Sequence, residues 1–267
     1  MKTSDLATRV ALVTGAASGL GYELSLLLAR DRYNLILVDI DKDNLESEKA
    51  SIHKEFPVKI ELIIKDLSSL NVAQELFDEI GDTVIDVLIN NAGFGIYGTF
   101  SNTNWDRESD MLNLHIMTTT HLTKLVLPGM LERGSGKILN MSSLAAFQPG
   151  PMMSLYYASK SYILSFSEAI ANELIGTGVT VTALCPGQTK TSFQEVVSEG
   201  AVSENKISFN MGCPRDVAKY GYEAMQKGKT VAIPGVFNQF LSKIPRFVSR
   251  KTATAVIRRI QEKNRAH

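Results

Sequence analysis

Tyr156 and Lys160 lie four residues apart in the run Tyr156-Tyr157-Ala158-Ser159-Lys160, a spacing that puts both side chains on one face of a helix. A free phenol, with a pKa of about 10, is a poor base at neutral pH, but a neighbouring ammonium stabilises the phenolate and draws the pKa down. Tyr156 tuned in this way can give a proton to a carbonyl oxygen or remove one from an alcohol. Ser143, thirteen residues earlier, offers a neutral hydroxyl that holds the same oxygen. These residues suit interconversion of an alcohol and a carbonyl, with the hydride carried by a nicotinamide cofactor. The Tyr-x-x-x-Lys spacing alone is common on helix surfaces, so its meaning depends on what surrounds it.

The surroundings read as a dinucleotide site. A first apolar strand runs into Thr14-Gly15-Ala16-Ala17-Ser18-Gly19-Leu20-Gly21 and then a helical stretch. Gly15, Gly19 and Gly21 let the backbone turn sharply and approach a pyrophosphate; Ser18 and Leu20 complete the loop, and the helix N-terminus faces the phosphates. The GxxxGxG spacing differs from the GxGxxG fingerprint of other dinucleotide folds. A second strand ends in Asp39, placed to accept hydrogen bonds from both ribose hydroxyls and to repel a 2′-phosphate. No Lys or Arg occupies the glycine loop, so NAD is expected over NADP, although Lys42 nearby leaves NADP open. Asp66 after the third strand can accept from the adenine amino group. In Asn90-Asn91-Ala92-Gly93 after the fourth, Asn91 can tie neighbouring strand ends while the small Ala92 and Gly93 leave room for a ribose. Each turn taken singly also has an ordinary structural reading.

The elements that must position these residues follow from hydrophobic patterning. Short apolar strands are expected at 10–14, 34–39, 59–64, 85–90, 137–142, 180–185 and 230–234, alternating with helices near 19–32, 42–55, 69–80, 104–133, 154–176 and 214–227. That alternation predicts a Rossmann-type α/β fold, a doubly wound seven-stranded parallel sheet with right-handed crossovers and helices on both faces. One catalytic domain is expected over residues 1–235. Ligands of such sheets sit beyond the carboxyl ends of the strands, where the residues named above fall. The stretch 188–213 is long enough to be a substrate lid.

Taken as an ordered set, TGAASGLG at 14–21, Asp66-Leu67, NNAG at 90–93, Asn113, Ser143, YYASK at 156–160 and PGQTKT at 186–191 resemble the short-chain dehydrogenase/reductase family over nearly the whole chain. The resemblance is to its main single-domain branch. It implies an oxidoreductase in which Asn113, Ser143, Tyr156 and Lys160 form the catalytic tetrad, with Asn113 holding a water that links Lys160 to solvent. It also implies that Lys160 reaches the nicotinamide ribose and that Leu67 joins Asp66 in the cofactor site. The nicotinamide carboxamide would be gripped at Thr189, where relatives usually carry Val or Ile. A homodimer or homotetramer packed through 104–133 and 154–176 is implied as well.

The expected substrate pocket is apolar: Phe94, Leu144, Phe147, Gln148, Met152, Met153, Phe193, Val196 and Val197. It suits a small-molecule hydrophobic alcohol or ketone, whether lipid-like, ketoacyl or steroid-like, better than a sugar phosphate. From Lys243 to His267 there are eight Lys or Arg against one acid, although the whole chain of 267 residues has a net charge of zero. This basic amphipathic segment, 236–267, reads as a helix packed on the domain or dimer, as a peripheral membrane contact, or as a frayed end. Zero net charge argues against a nucleic-acid partner. Cys185 and Cys213 match no metal spacing, and no metal is expected. With neither a signal peptide nor a long apolar run, the chain reads as cytoplasmic. Competing readings are an NADP-dependent carbonyl reductase, a sugar-nucleotide epimerase, and a dinucleotide-binding sensor or scaffold without catalysis.

Overall fold

The computed structural model describes residues 9–189 and 212–265. Strands β1 (Val10–Thr14), β2 (Asn34–Asp39), β3 (Ile60–Ile64), β4 (Val87–Asn90), β5 (Gly136–Met141), β6 (Val179–Leu184) and β7 (Val231–Ala232) form one sheet in the order β3-β2-β1-β4-β5-β6-β7. All neighbours are parallel. Successive strand residues serve opposite faces. Ala11, Val13, Leu35 and Leu37 pack beneath α1 (Gly19–Arg30), α2 (Lys42–Glu55) and α7 (Pro214–Gln226). Leu12, Ile36 and Val38 pack on the other side, with α3 (Val72–Ile80), α5 (Thr119–Glu132) and α6 (Ser154–Glu173). Strand order reverses between β1 and β4, so a crevice opens beyond their carboxyl ends.

The continuous helix expected over 104–133 is instead three pieces. Trp105–Leu112 (α4) is α-helical, Asn113–Thr118 is π-helical, and α5 resumes at Thr119. The threonine run explains the change. Thr119 Oγ1 donates to the Leu114 carbonyl five residues back, and Thr118 Oγ1 donates to the Leu67 carbonyl at 2.8 Å. Hydroxyls competing in this way for backbone acceptors loosen an α-helical register, and single π turns gather at functional sites.

The C-terminal segment is also interrupted. Val236–Lys243 (α8) passes through a short turn at Ile244–Arg246, with Pro245 inside it, before Arg250–Arg265 (α9). Ala253, Ile257 and Gln261 recur every four residues on α9 and face inward, while Arg250, Lys251, Arg258, Arg259 and Lys263 are exposed. The helix is therefore packed on the domain with a solvated basic face. Among the described residues, no helix is long and apolar enough to cross a membrane.

Candidate active site

The glycine loop leaves β1 as a tightly braced cradle. The Gly15 N–H donates to the Val38 carbonyl at 2.8 Å, and the Gly15 carbonyl accepts from the Asn91 side-chain amide at 2.8 Å. Gly15 has φ +66°, and a β-carbon there would lie 2.7 Å from the Ala92 α-carbon; one at Gly21 would overlap the Gly15 carbonyl oxygen. Asn91 also donates to the Thr14 carbonyl at 3.1 Å, and Thr14 Oγ1 accepts from the Asn91 and Ala92 N–H groups. The β1 and β4 turns are thus one unit. Ser18 is the exposed N-cap residue of α1, followed by Gly19, at φ +57°, and Leu20. A loop pared of β-carbons at a helix N-terminus fits a dinucleotide phosphate.

Asp39 stands at the end of β2, where one carboxylate oxygen accepts from the Ala17 N–H at 2.9 Å and the other from the Asp41 N–H at 3.1 Å. A carboxylate has about four acceptor positions, so both oxygens retain capacity toward a ribose. Asp66 accepts from the Ser68 N–H and hydroxyl through one oxygen. The Leu67 side chain is buried in the core and its carbonyl accepts from Thr118 Oγ1. Thr189 pairs with Gly212, and its hydroxyl donates to the Gly187 carbonyl at 3.2 Å. Beyond it, residues 190–211 of the expected lid, Phe193 among them, lie outside the described residues.

At the end of β5, Ser143 meets Tyr156 and Lys160 from α6. Ser143 Oγ accepts from the Ala145 N–H at 3.1 Å and shares a hydrogen bond with the Tyr156 phenol. Lys160 Nζ donates to the Met141 carbonyl at 3.0 Å and stands 5.7 Å from the centre of the Tyr156 ring. Burial pushes the phenol up to about 12 against the pull of Ser143, and burial pushes the Lys160 ammonium down to about 7. The charged forms of both are disfavoured by desolvation. Tyr156 is therefore a proton donor at neutral pH.

The helix that should carry Asn113 to this point presents a different residue. Side chains two apart on a helix diverge by about 200°, and the one that reaches the site is His115, fully buried, its ring 5.9 Å from that of Tyr156 and edge-on to it. His115 Nδ1 is 2.9 Å from Ser159 Oγ. Asn113 is half-buried at the start of the π turn.

The apolar wall is built partly as expected. Met153, Ala145 and Tyr157 form a cluster packed by Tyr97, Tyr156 and Ile257. Gln261 on α9 donates to the Tyr157 hydroxyl at 2.9 Å. Phe94 sits 6.4 Å from His115, and Leu144, half-buried, donates its N–H to the Pro186 carbonyl. Phe147 packs elsewhere, with Leu164, Ala183 and Cys185. Tyr97, His115, Ile257 and Gln261 escaped sequence reasoning; for the α9 residues, their every-fourth spacing was the available signal.

Residues 9–201 match the family model for short chain dehydrogenases. The chain belongs to that family. It is 32% identical over 262 residues to the ketoacyl reductase HetN of Nostoc sp., covering 96% of this chain and 89% of that one. To the very-long-chain 3-oxoacyl-CoA reductase of Aspergillus terreus it is 34% identical over 176 residues, 64% of this chain and half the length of that relative. Among solved structures it resembles a short-chain dehydrogenase from Sphingobium yanoikuyae in complex with NADPH, with TM-score 0.79 and 27% identity over 85% of this chain and 88% of that one. As a short-chain dehydrogenase the chain is an oxidoreductase that uses a nicotinamide dinucleotide, and the seven-stranded parallel sheet is the family's fold.

Proposed function

We propose that this chain interconverts a hydrophobic ketone and its secondary alcohol with NAD(H), the substrate being lipid-like, such as the 3-oxo group of an acyl chain. The observation that carries this reading is the apolar wall of Met153, Tyr97 and Ile257 packed directly against the Tyr156–Tyr157 pair. The two named relatives, a ketoacyl reductase and a 3-oxoacyl-CoA reductase, support an acyl substrate. When bound, the nicotinamide supplies or accepts the hydride. Ser143 orients the substrate oxygen, Tyr156 gives it a proton in the reductive direction, and Lys160 holds the ribose and Tyr156 in register. Lys160 and the Ser18–Gly21 loop fit the two ends of such a cofactor. Homo-oligomerisation through α5 and α6 agrees with the exposure of Met117 and Tyr162 nearby.

Turnover of 3-oxoacyl thioesters of increasing chain length with NADH, followed through the absorbance of the reduced ring, should rise with chain length. Ile257→Asp should raise KM for long chains about tenfold or more while sparing short ketones, since one hydrophobic contact decides roughly 1–3 kcal/mol of discrimination. Preference for polar keto-sugars, or indifference of long-chain KM to that substitution, would overturn the substrate assignment.

The preference for NAD rests on Asp39 and on how the neighbouring cations are engaged. Lys42 faces Glu46 at 3.8 Å, and Lys65 faces Glu79 at 2.9 Å. Asp39→Ser should shift the ratio of kcat/KM for NADPH over NADH upward by at least about tenfold, because like-charge repulsion of a phosphate is removed. A wild-type enzyme already faster with NADPH would refute the NAD assignment.

A further inference from the structure

The short helix α8 is built with its polarity reversed. Asn238 donates its side-chain amide to the Pro234 carbonyl at 2.7 Å, Gln239 donates to the Ile233 carbonyl at 3.0 Å, and Ser242 is buried. These polar side chains are the ones turned to the domain. Val236, Phe237, Phe240 and Leu241 are exposed, Phe240 by 62%. At about 100° per residue they share one arc of the helix, opposite Asn238 and Ser242. A surface helix of a globular domain carries its apolar stripe inward, so the outer face of α8 is suited to an apolar covering. The turn that follows extends it, with Phe247 85% exposed and Val248 exposed beside it. Single apolar side chains on a surface are ordinary, but a run of them marks a contact surface.

The same segment is cationic. From Val236 to Gln261 the sequence holds six Lys or Arg and no acid. Lys243 falls at the edge of the exposed arc of α8, and Arg246, Arg250 and Lys251 flank Phe247 in sequence. Among the described residues no carboxylate pairs with any of these four. The first acid beyond them, Glu262, is engaged by Arg258 at 2.7 Å. A second copy set isologously on this face would bring two such segments together, and they would repel. An anionic bilayer surface satisfies both halves: apolar side chains enter the boundary between headgroups and acyl chains, and the cations meet lipid phosphates. The face also borders the active site. α8 packs on the Leu144–Phe147 turn that directly follows Ser143. A β-carbon on Gly187 would stand 3.0 Å from the Asn238 amide nitrogen, and α9 reaches Tyr157 through Gln261. We propose that α8 and the turn after it dock this enzyme on an anionic lipid surface. Phe237, Phe240 and Phe247 insert, while Lys243, Arg246, Arg250 and Lys251 lie among the phosphates. Docked in this way, the enzyme takes its hydrophobic ketone from the bilayer. That purpose rests on the lipid-like substrate reading; the docking itself does not.

The test is sedimentation of the full chain with vesicles, which needs no turnover. The wild type should bind vesicles of equal phosphatidylcholine and phosphatidylglycerol at least about tenfold more tightly than phosphatidylcholine alone, and salt should release it. The double variant Phe237→Ser, Phe240→Ser should lose about tenfold or more of that binding. Its far-ultraviolet dichroism should be unchanged, since both side chains stand in solvent in the free protein. Lys243→Glu with Arg246→Glu should bring binding down to the level seen with phosphatidylcholine alone. Phe100→Ser, at an exposed phenylalanine outside the segment, should bind as the wild type does. Equal binding to both vesicle types, or full binding by the double phenylalanine variant, would overturn the proposal. So would a variant whose only change is a smaller oligomer in solution, which would assign the face to a second copy. Turnover of a short soluble ketone should be the same in all these proteins. Vesicle binding without any turnover would refute the functional reading alone, and turnover without vesicle binding would refute the docking alone.

Discussion

Tyr156→Phe is expected to lower kcat by about 10²–10⁴-fold, the usual contribution of a positioned general acid or base, while the protein keeps its fold and its dinucleotide. The ring that packs against Met153 and meets His115 edge-on at 5.9 Å survives the substitution. What disappears is a hydroxyl whose environment disfavours its charged form, with Ser143 losing one partner. Stability should therefore move by no more than about 1 kcal/mol. The sign of the pH dependence follows from the same groups. In the ligand-free site the phenol stays protonated up to about 12, so the proton donor is present across the neutral range. Lys160 loses its charge as pH rises through about 7, so dinucleotide affinity should weaken on the alkaline side. Calorimetric binding of NADH together with steady-state rates separates the two effects. A variant that turned over at the wild-type rate would show that the proton comes from elsewhere.

Gly21→Ala should have the second largest effect, and through a different route. Its β-carbon would overlap the Gly15 carbonyl oxygen and stand 2.7 Å from the Asn91 amide nitrogen. Neither neighbour can retreat, since Gly15 is bonded to Val38 on one side and Asn91 on the other. Overpacking against fixed atoms costs about 1–3 kcal/mol or more, a fall in Tm of roughly 2–12 °C at this chain length, and dinucleotide binding should be lost as the turn opens. Gly81→Ala is the matched control: φ is +60° there, but nothing lies within 4 Å of the new atom. A Gly21→Ala protein that melts and binds like the wild type would show that the cradle is not where the phosphates sit.

Much of this was legible in residue order. The sheet follows from strand-length apolar runs alternating with helical ones, and the positions of Gly15, Asp39, Asn91 and Ser143 at strand ends follow from the sheet. The π turn was not legible. It goes with threonine hydroxyls choosing backbone acceptors, one of which, the Leu67 carbonyl, lies 51 residues away and is brought near only by folding. Asn113 was expected at the site from the family resemblance, whereas the residue beside Tyr156 is His115, two positions on. For Ile257 and Gln261 the every-fourth spacing marks an inward face but not its partner, because the contact between Gln261 and Tyr157 spans 104 residues.

Beneath the site runs a chain of polar groups through otherwise apolar packing. Asn90 donates to Thr123 Oγ1 at 3.1 Å and to Asn140 at 2.9 Å; Asn140 donates to Ser167 at 2.9 Å, and Thr123 to the Thr119 carbonyl at 2.8 Å. Apolar contacts tolerate sliding by fractions of an ångström, but a directed sequence of donors and acceptors is either complete or broken. β4, β5, α5 and α6 are therefore indexed to one another as gear teeth are, in discrete steps. The floor on which Ser143 and Tyr156 are mounted cannot soften gradually, and warmth should leave catalytic alignment intact until the cooperative loss of the domain itself.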